Sequence, residues 1–425
     1  MRARMAGVVL GLAGLLAGVA GCGSDLVIDE ATAHKSSQPA PVTDPTRTAW
    51  TLHARLNSGT TPIAAGPGVV YGTFSDAKGL PDRVVAIDGK TGHERWHYAR
   101  QGRHSSLVRL TASPDGKRVA AWFERDSQQL LVMFDAMTGV VVWHRALDAP
   151  TNGYQSVDRF WATDHTLVTY SPRTTDGMFR LDGYDINTGR HLWHWYPGGD
   201  TKQYQMVGTD EDVTSDAMLL PVLRADAESS TIELVSLADR TGKPTWRHDF
   251  VTDAQPLTPS TQAMARVDAY PQDPERLWFS AGVVGGPQFA GVVTAADGQP
   301  TYKLPVPTWG LPNTPITVGL TPQIDVYGAY LADRKVVPAS VRTPATGKAV
   351  AWPAFTGTNA ALLGAGETVL EAHLANGRYT AVIWSLPGRK RLGSVNITGH
   401  VTAVLSAPGA VVLYDSLDGT FTGLT

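Results

Sequence analysis

The sequence predicts an all-β fold, an eight-bladed β-propeller of four-stranded antiparallel blades, with seven blades as the alternative. Three observations lead there: a motif that recurs at near-constant spacing, a composition dense in turn residues, and a final repeat too short to hold all its strands. Repetition at this scale sets the architecture, because a unit that cannot bury its apolar face alone must stack on its neighbours.

The motif reads Asp or Ala, two residues, Thr-Gly, three residues, Trp. It occurs as AIDGKTGHERW (Asp88, Thr91, Gly92, Trp96), MFDAMTGVVVW (Asp135, Thr138, Gly139, Trp143), GYDINTGRHLW (Asp185, Thr188, Gly189, Trp193) and SLADRTGKPTW (Thr241, Gly242, Trp246, with Ala238 in the aspartate position). Successive glycines lie 47, 50 and 53 residues apart, the length of one four-stranded blade. Physically this is a strand ending in an aspartate-led turn, a glycine free to take positive φ, and a strand whose Trp covers the neighbouring blade. The repeated residues are therefore expected to be structural, not a ligand cage.

Weaker copies keep the register: Gly298 with Tyr302, Gly347 with Trp352, Gly388 with Leu392, and finally Gly419, eight glycine markers in all. Six residues follow Gly419, too few for a closing aromatic strand. The strand is expected from AWTLHARL (Ala49 to Leu56), which places Trp50 in the last aromatic position, closes the ring and removes an exposed edge.

Between the markers, β-branched runs such as GPGVVYGTF and RVVAID are bounded by Gly, Pro and Asp, and TASPDGKRVAAWF is a Ser-Pro-Asp-Gly turn feeding a strand. No stretch after the leader sustains helical periodicity. The 43 glycines and 28 prolines supply turn punctuation for many short strands. A net charge of -3 and an isoelectric point near 6.5 lack the basic stripe of a nucleic-acid binder, so no nucleic-acid partner is expected.

The first copy fits A-x-D-x-x-T-G-x-x-x-W at every fixed position and resembles the tryptophan-docking motif of quinoprotein alcohol dehydrogenases and BamB-like lipoproteins, over nearly the whole chain. The dehydrogenase branch of that resemblance implies a quinone held over calcium, against a disulfide of adjacent cysteines, with an aspartate as base. Here the one cysteine is Cys22, so that disulfide cannot form, and no matching calcium-ligand segment or catalytic aspartate is found. HExxH, GxSxG and GxxxxGK[ST] are likewise missing. No catalytic residue, cofactor or metal is expected.

The first 21 residues, MRARMAGVVLGLAGLLAGVAG, read as a signal peptide ending in a lipobox, with Cys22 as the acylated residue. Their apolar run is shorter than the about 20 residues that cross a bilayer. Residues 22–48, rich in Ser, Thr, Pro, Asp and Ala, read as a flexible lipidated tether, and 49–425 as the propeller. The leader and tether resemble those of actinobacterial lipoproteins. The expectation is a monomer on the extracytoplasmic face of the cell membrane, anchored through Cys22, with a protein partner.

Three further features read as bland. His97, His144, His194 and His248 follow marker tryptophans and are expected to sit a blade apart, too far for one metal. Asp210, Glu211, Asp212 and Asp216 form a solvated loop without the order of a calcium loop. Asn396-Ile-Thr398 matches a glycosylation sequon by chance. The function expected is a non-catalytic scaffold for protein interaction or envelope assembly. The alternative is a small-molecule or quinoprotein-type site in the central channel, of a sensor or a dehydrogenase.

Overall fold

In the computed structural model the described residues are 39–425, apart from 57–59, 74–81, 101–104, 126–127, 148–154, 156, 174–177, 199–202, 208–211, 226–228, 254–262, 271–272, 284–285, 304–314, 321–324, 331–335, 343–348, 351–358, 364–367, 376–377, 386–389 and 398. Cys22, Gly347, Trp352 and Gly388 lie outside them, as do Asp210 and Glu211.

The chain is all-β. Among the described residues the strands form eight antiparallel sheets. The first is Ile63–Ala65, Gly68–Thr73, Arg83–Asp88 and Glu94–Ala99; the second is Ser106–Ala112, Arg118–Arg125, Gln128–Asp135 and Val141–Leu147. The third is Arg159–Ala162, Thr166–Pro172, Phe179–Asp185 and His191–Trp195. In the fourth, Gln203–Met206 and Asp212–Val213 are two pieces of an interrupted first strand that pair with the same neighbour, Ala217–Ala225, followed by Ser230–Ala238 and Pro244–Asp253.

The fifth sheet is Ala263–Tyr270, Asp273–Val283, Gln288–Thr294 and Pro300–Lys303; the sixth is Pro315–Leu320, Asp325–Tyr330, Val336–Arg342 and Ala349–Val350. The seventh is Asn359–Leu363, Thr368–Ala375, Arg378–Ser385 and Lys390–Ile397. The eighth combines both ends of the described chain: Ala403–Ala407, Ala410–Asp415 and Thr420–Leu424 pair in order, and Thr48–His53 adds as the fourth strand. Within that pair Trp50 lies opposite Gly423, so the strand expected of Ala49 to Leu56 does sit beside the C-terminal strand.

The apolar core lies between sheets, not within one. Val84, Trp96 and Tyr98 of the first sheet pack on Leu110, Phe123 and Phe134 of the second. Similar seams join the second to the third, the third to the fourth, the fourth to the fifth and the seventh to the eighth. Val69, Tyr71, Val85 and Ile87 of the first sheet also pack on Val412, Tyr414 and Phe421 of the eighth. Strands such as Val69 to Tyr71 and Leu130 to Phe134 are buried on both faces, which is why they read as apolar runs instead of alternating. The first strands of successive sheets touch in sequence, and that of the eighth touches that of the first.

Antiparallel order gives each sheet two ends. One end carries the turns between first and second and between third and fourth strands; we term it the turn face. The other carries the turns between second and third strands and the links from sheet to sheet; we term it the connector face. Gly419, grouped with the Thr-Gly glycines by sequence, lies between the second and third strands of the eighth sheet and so on the connector face. This corrects its assignment: the eighth turn of the series has no glycine, because the chain is open there. Thr46 and Arg47 donate their amides to the carbonyl of Thr425 at 3.0 and 3.1 Å, and Thr425 donates to Arg47 at 3.0 Å.

Candidate functional site

Each Thr-Gly turn is built around its aspartate. Asp88 Oδ1 accepts the amides of Lys90 and Thr91 and the Thr91 hydroxyl, at 2.9–3.1 Å. Asp135 Oδ1 accepts from Thr138 N and Oγ1, and Asp185 Oδ1 from Asn187 N, Thr188 N and Thr188 Oγ1. The threonine hydroxyl then accepts the amide two residues on, as His93 donates to Thr91 at 3.3 Å. Where Ala238 replaces the aspartate the backbone turn persists, with Gly242 donating to the Ala238 carbonyl at 2.8 Å.

The glycine then receives the tryptophan of the preceding sheet. Gly92, Gly139, Gly189, Gly242 and Gly298 all have φ between 63° and 73°, a region an L side chain occupies only with strain. A Cβ on Gly139 would also lie 2.5 Å from Trp96 Cγ, so the position is closed twice over. Trp96 Nε1 donates to the Ala136 carbonyl at 3.1 Å, Trp143 to Ile186 at 2.8 Å, Trp193 to Asp239 at 2.6 Å and Trp246 to Ala295 at 2.9 Å. Trp50 makes the same contact to Gly89 at 2.8 Å, with its indole on Gly92. Small residues stand opposite several of these rings: Ala86 faces Trp96, Gly183 faces Trp193 and Gly423 faces Trp50. Leu392, in the aromatic position of the seventh sheet, is exposed, so this apolar side chain does not reproduce the buried dock.

The other candidates fall apart from one another. His144 and His194 are exposed and His97 and His248 half-buried, on the fourth strands of four different sheets. His97 Nδ1 meets Glu94 at 2.6 Å, His194 packs against Tyr196, and His248 against Phe250. Among the described residues no three His, Cys, Asp or Glu side chains converge to hold a metal. Asp212 begins the short second piece of the interrupted strand.

Sequence reasoning did not single out the turns between first and second strands, and these form a pocket of about 250 Å3 on the turn face. It is lined by Pro114, Asp115, Asp164, Thr214, Ser215 and Pro274, drawn from the second to the fifth sheets. The turns are tied together: Asp115 N donates to Asp164 Oδ1 at 2.9 Å and Asp164 N to the Ser215 carbonyl at 3.1 Å. Burial pushes Asp164 above the ordinary carboxylate range. Burial acts on Asp115 in the same direction, but hydrogen bonds from Lys117 and Ser113 outweigh it and leave that carboxyl lowered. The Ser-Pro-Asp-Gly phrase at 113–116 was the one sequence signal for this wall.

The pocket does not fit the quinone and calcium of the dehydrogenase resemblance. Pyrroloquinoline quinone carries three carboxylates, whereas the charged residues lining this pocket are two aspartates. Calcium takes about 6–8 oxygen ligands, and here one carboxylate is engaged by Lys117 at 2.8 Å and the other by the Asp115 amide.

A deeper polar group lies where the third and fourth sheets meet. Asp239 is 3 % exposed; its carboxylate accepts the Thr163 hydroxyl at 2.9 Å and its carbonyl accepts Trp193. Burial raises its pKa, against the hydrogen bond from Thr163.

Comparison with known proteins bears on the whole arrangement. A family model described as outer membrane protein assembly factor BamB matches residues 43–169 and 81–271. BamB from Moraxella catarrhalis is similar at 15 % identity and a TM-score of 0.50, covering 89 % of this chain and 99 % of its own. Sqt1 of Saccharomyces cerevisiae is similar at 10 % identity and TM-score 0.50, covering 90 % and 99 %. The dihydro-heme d1 dehydrogenase NirN, in complex with DHE, is similar at 12 % identity and TM-score 0.50, covering 88 % and 78 %. At such identities these likenesses speak to fold alone. No curated protein sequence matches.

Proposed function

We propose, from the premise that the chain belongs to the family of outer membrane protein assembly factor BamB, that it is a non-catalytic scaffold held on the extracytoplasmic face of the cell membrane by acylated Cys22. Its eight sheets are read as the eight blades of one ring, closed by Thr48–His53; the contact between the first strands of the eighth and first sheets supports this. The role is to present the loops of a rigid ring to a protein partner in envelope assembly or a related interaction.

One observation carries the reading. The motif that could have signalled quinone chemistry is occupied with architecture: aspartate and threonine hold the turn, glycine receives the indole, and the indole N–H is bonded to the next sheet. Loops on a rigid repeat scaffold are well placed for recognition, which supports the scaffold reading.

The test is a titration of the chain from Pro39 to Thr425 with pyrroloquinoline quinone and calcium, followed by absorbance. No saturable binding is expected, together with recovery of a specific crosslinked protein partner from membranes bearing the full chain. Stoichiometric, calcium-dependent quinone binding would overturn the scaffold reading. For the anchor, Cys22→Ser should abolish palmitate labelling; unchanged labelling would refute acylation at that residue.

A further inference from the structure

We infer that the turn face is the face held toward the membrane and that the connector face points away from it, toward a partner. The inference rests on the anchor proposed above and adds to it a direction.

Residues 39–47 fall in the segment that composition marks as tether, yet they are laid against the sheets. From the start of Thr48–His53 the chain runs back across the turn face. Thr46 and Arg47 bond Thr425, and Pro45 is buried. The Thr43 carbonyl accepts the Thr368 hydroxyl at 2.9 Å, at the turn-face end of the second strand of the seventh sheet. Val42 packs on the core between the seventh and eighth sheets. Pro41 bridges Pro408, the Ala40 carbonyl accepts Gly409 N at 3.1 Å, and Pro39 packs on Gly409. Pro408 and Gly409 form the turn between the first and second strands of the eighth sheet, the inner edge of that sheet on the turn face.

The segment that leads back toward Cys22 thus enters the described residues at the inner rim of this face. Cys22 stands 17 residues before Pro39. A coil of that length has a root-mean-square span of about 23 Å. To bring the connector face to the bilayer, the tether would have to cross three strand spacings, about 15 Å, and then descend a strand of six to eight residues, about 20–26 Å. That path of about 40 Å is well beyond the root-mean-square span and takes up about two thirds of the extended limit of about 60 Å, so it costs chain entropy that the opposite orientation does not. A path down the axis would instead strip water from Asp25, Asp29 and Glu30. Turning the turn face to the lipid requires neither. The occupant of this face is therefore the bilayer surface beside the anchor.

The lone native cysteine, Cys22, lets single thiols be placed without interference once it is acylated. Val140 is 61 % exposed on the turn face and Leu417 is 79 % exposed on the connector face. Full-length acylated Val140→Cys and Leu417→Cys, each carrying a donor dye, are reconstituted in vesicles of phosphatidylethanolamine and phosphatidylglycerol doped with an acceptor-labelled lipid. Energy transfer is expected to be at least twofold greater from position 140. Equal transfer, or more from 417, overturns the orientation while leaving the anchor intact. Flotation of the same vesicles reads the anchor separately: protein that fails to float with lipid overturns the anchor and the orientation with it.

Discussion

Thr46 donates its amide to the carbonyl of Thr425 at 3.0 Å, the contact that Gly92 makes to Asp88 at 2.8 Å in the first sheet. The likeness continues one residue on, since Thr425 N bonds the Arg47 carbonyl as Asp88 N bonds that of His93. Two ends of the chain, 379 positions apart, thus rebuild the turn that elsewhere is one continuous segment. The fourth strand of the eighth sheet enters there, and with it Trp50, which docks on the first sheet as the other tryptophans dock on theirs.

That closure predicts an asymmetry between two truncations. A chain beginning at Pro39 should fold like the full protein. One beginning at Ala54 lacks Thr48–His53, leaves Thr420–Leu424 as an open edge and should aggregate. Light scattering and near-ultraviolet circular dichroism distinguish them; a monomeric, native-like chain from Ala54 would show that the closing strand is dispensable.

Trp96→Ala should destabilise by about 3–5 kcal/mol, as expected for removing a large buried aromatic. The ring is 2 % exposed, stacks on Phe134 and is hydrogen-bonded to Ala136. Trp246→Ala should cost less, because that ring is only half-buried. Denaturant midpoints at constant slope supply the comparison, and equal losses would count against interface burial as the cause.

Gly139→Ala forces a side chain into positive φ, at about 1–2 kcal/mol, and drives its Cβ into the Trp96 ring. In the double variant with Trp96→Ala the collision term vanishes while the backbone term stays. The cycle should therefore be sub-additive by more than about 0.5 kcal/mol, on the order of neighbouring pairs. Additive losses would mean that the glycine serves the turn alone.

The buried carboxyl of Asp239 predicts a pH dependence. Burial raises its folded pKa, so folding favours the protonated form. The stability it contributes is fully present below the unfolded value, about 3.9, and is lost as pH rises through the folded value. Asp239→Asn keeps an acceptor for Thr163 and removes the titration. Relative to the parent, the variant should gain stability as pH rises above the unfolded value of about 3.9, and the gain should level off once the folded carboxyl has ionised. Asp115, with its pKa lowered, contributes in the opposite sense and is lost as pH falls, but it is common to both proteins and cancels. A pH-independent difference between the two would sink the assignment.

Class and repeat are both readable from the order of residues alone. A turn of Asp, Thr and Gly is local chemistry, legible because its hydrogen bonds join residues two or three positions apart. A tryptophan four residues after the glycine falls on the next strand at a constant place. The need for a donated closing strand was also legible, since only six residues follow Gly419 and no closing aromatic strand appears among them.

Which end of a sheet a turn occupies is a matter of long-range pairing and cannot be read locally. Gly419 bonds Asp415 at 3.0 Å across four residues, as Gly92 bonds Asp88, so the local sequence writes both turns alike. Their difference lies in strand order, which is set by pairing between residues hundreds apart. The pocket among the inner turns and the path of residues 39–47 have the same origin. Both arise where backbone groups of distant segments meet, and a polar segment without periodicity gives no local sign of the carbonyls and amides it will find.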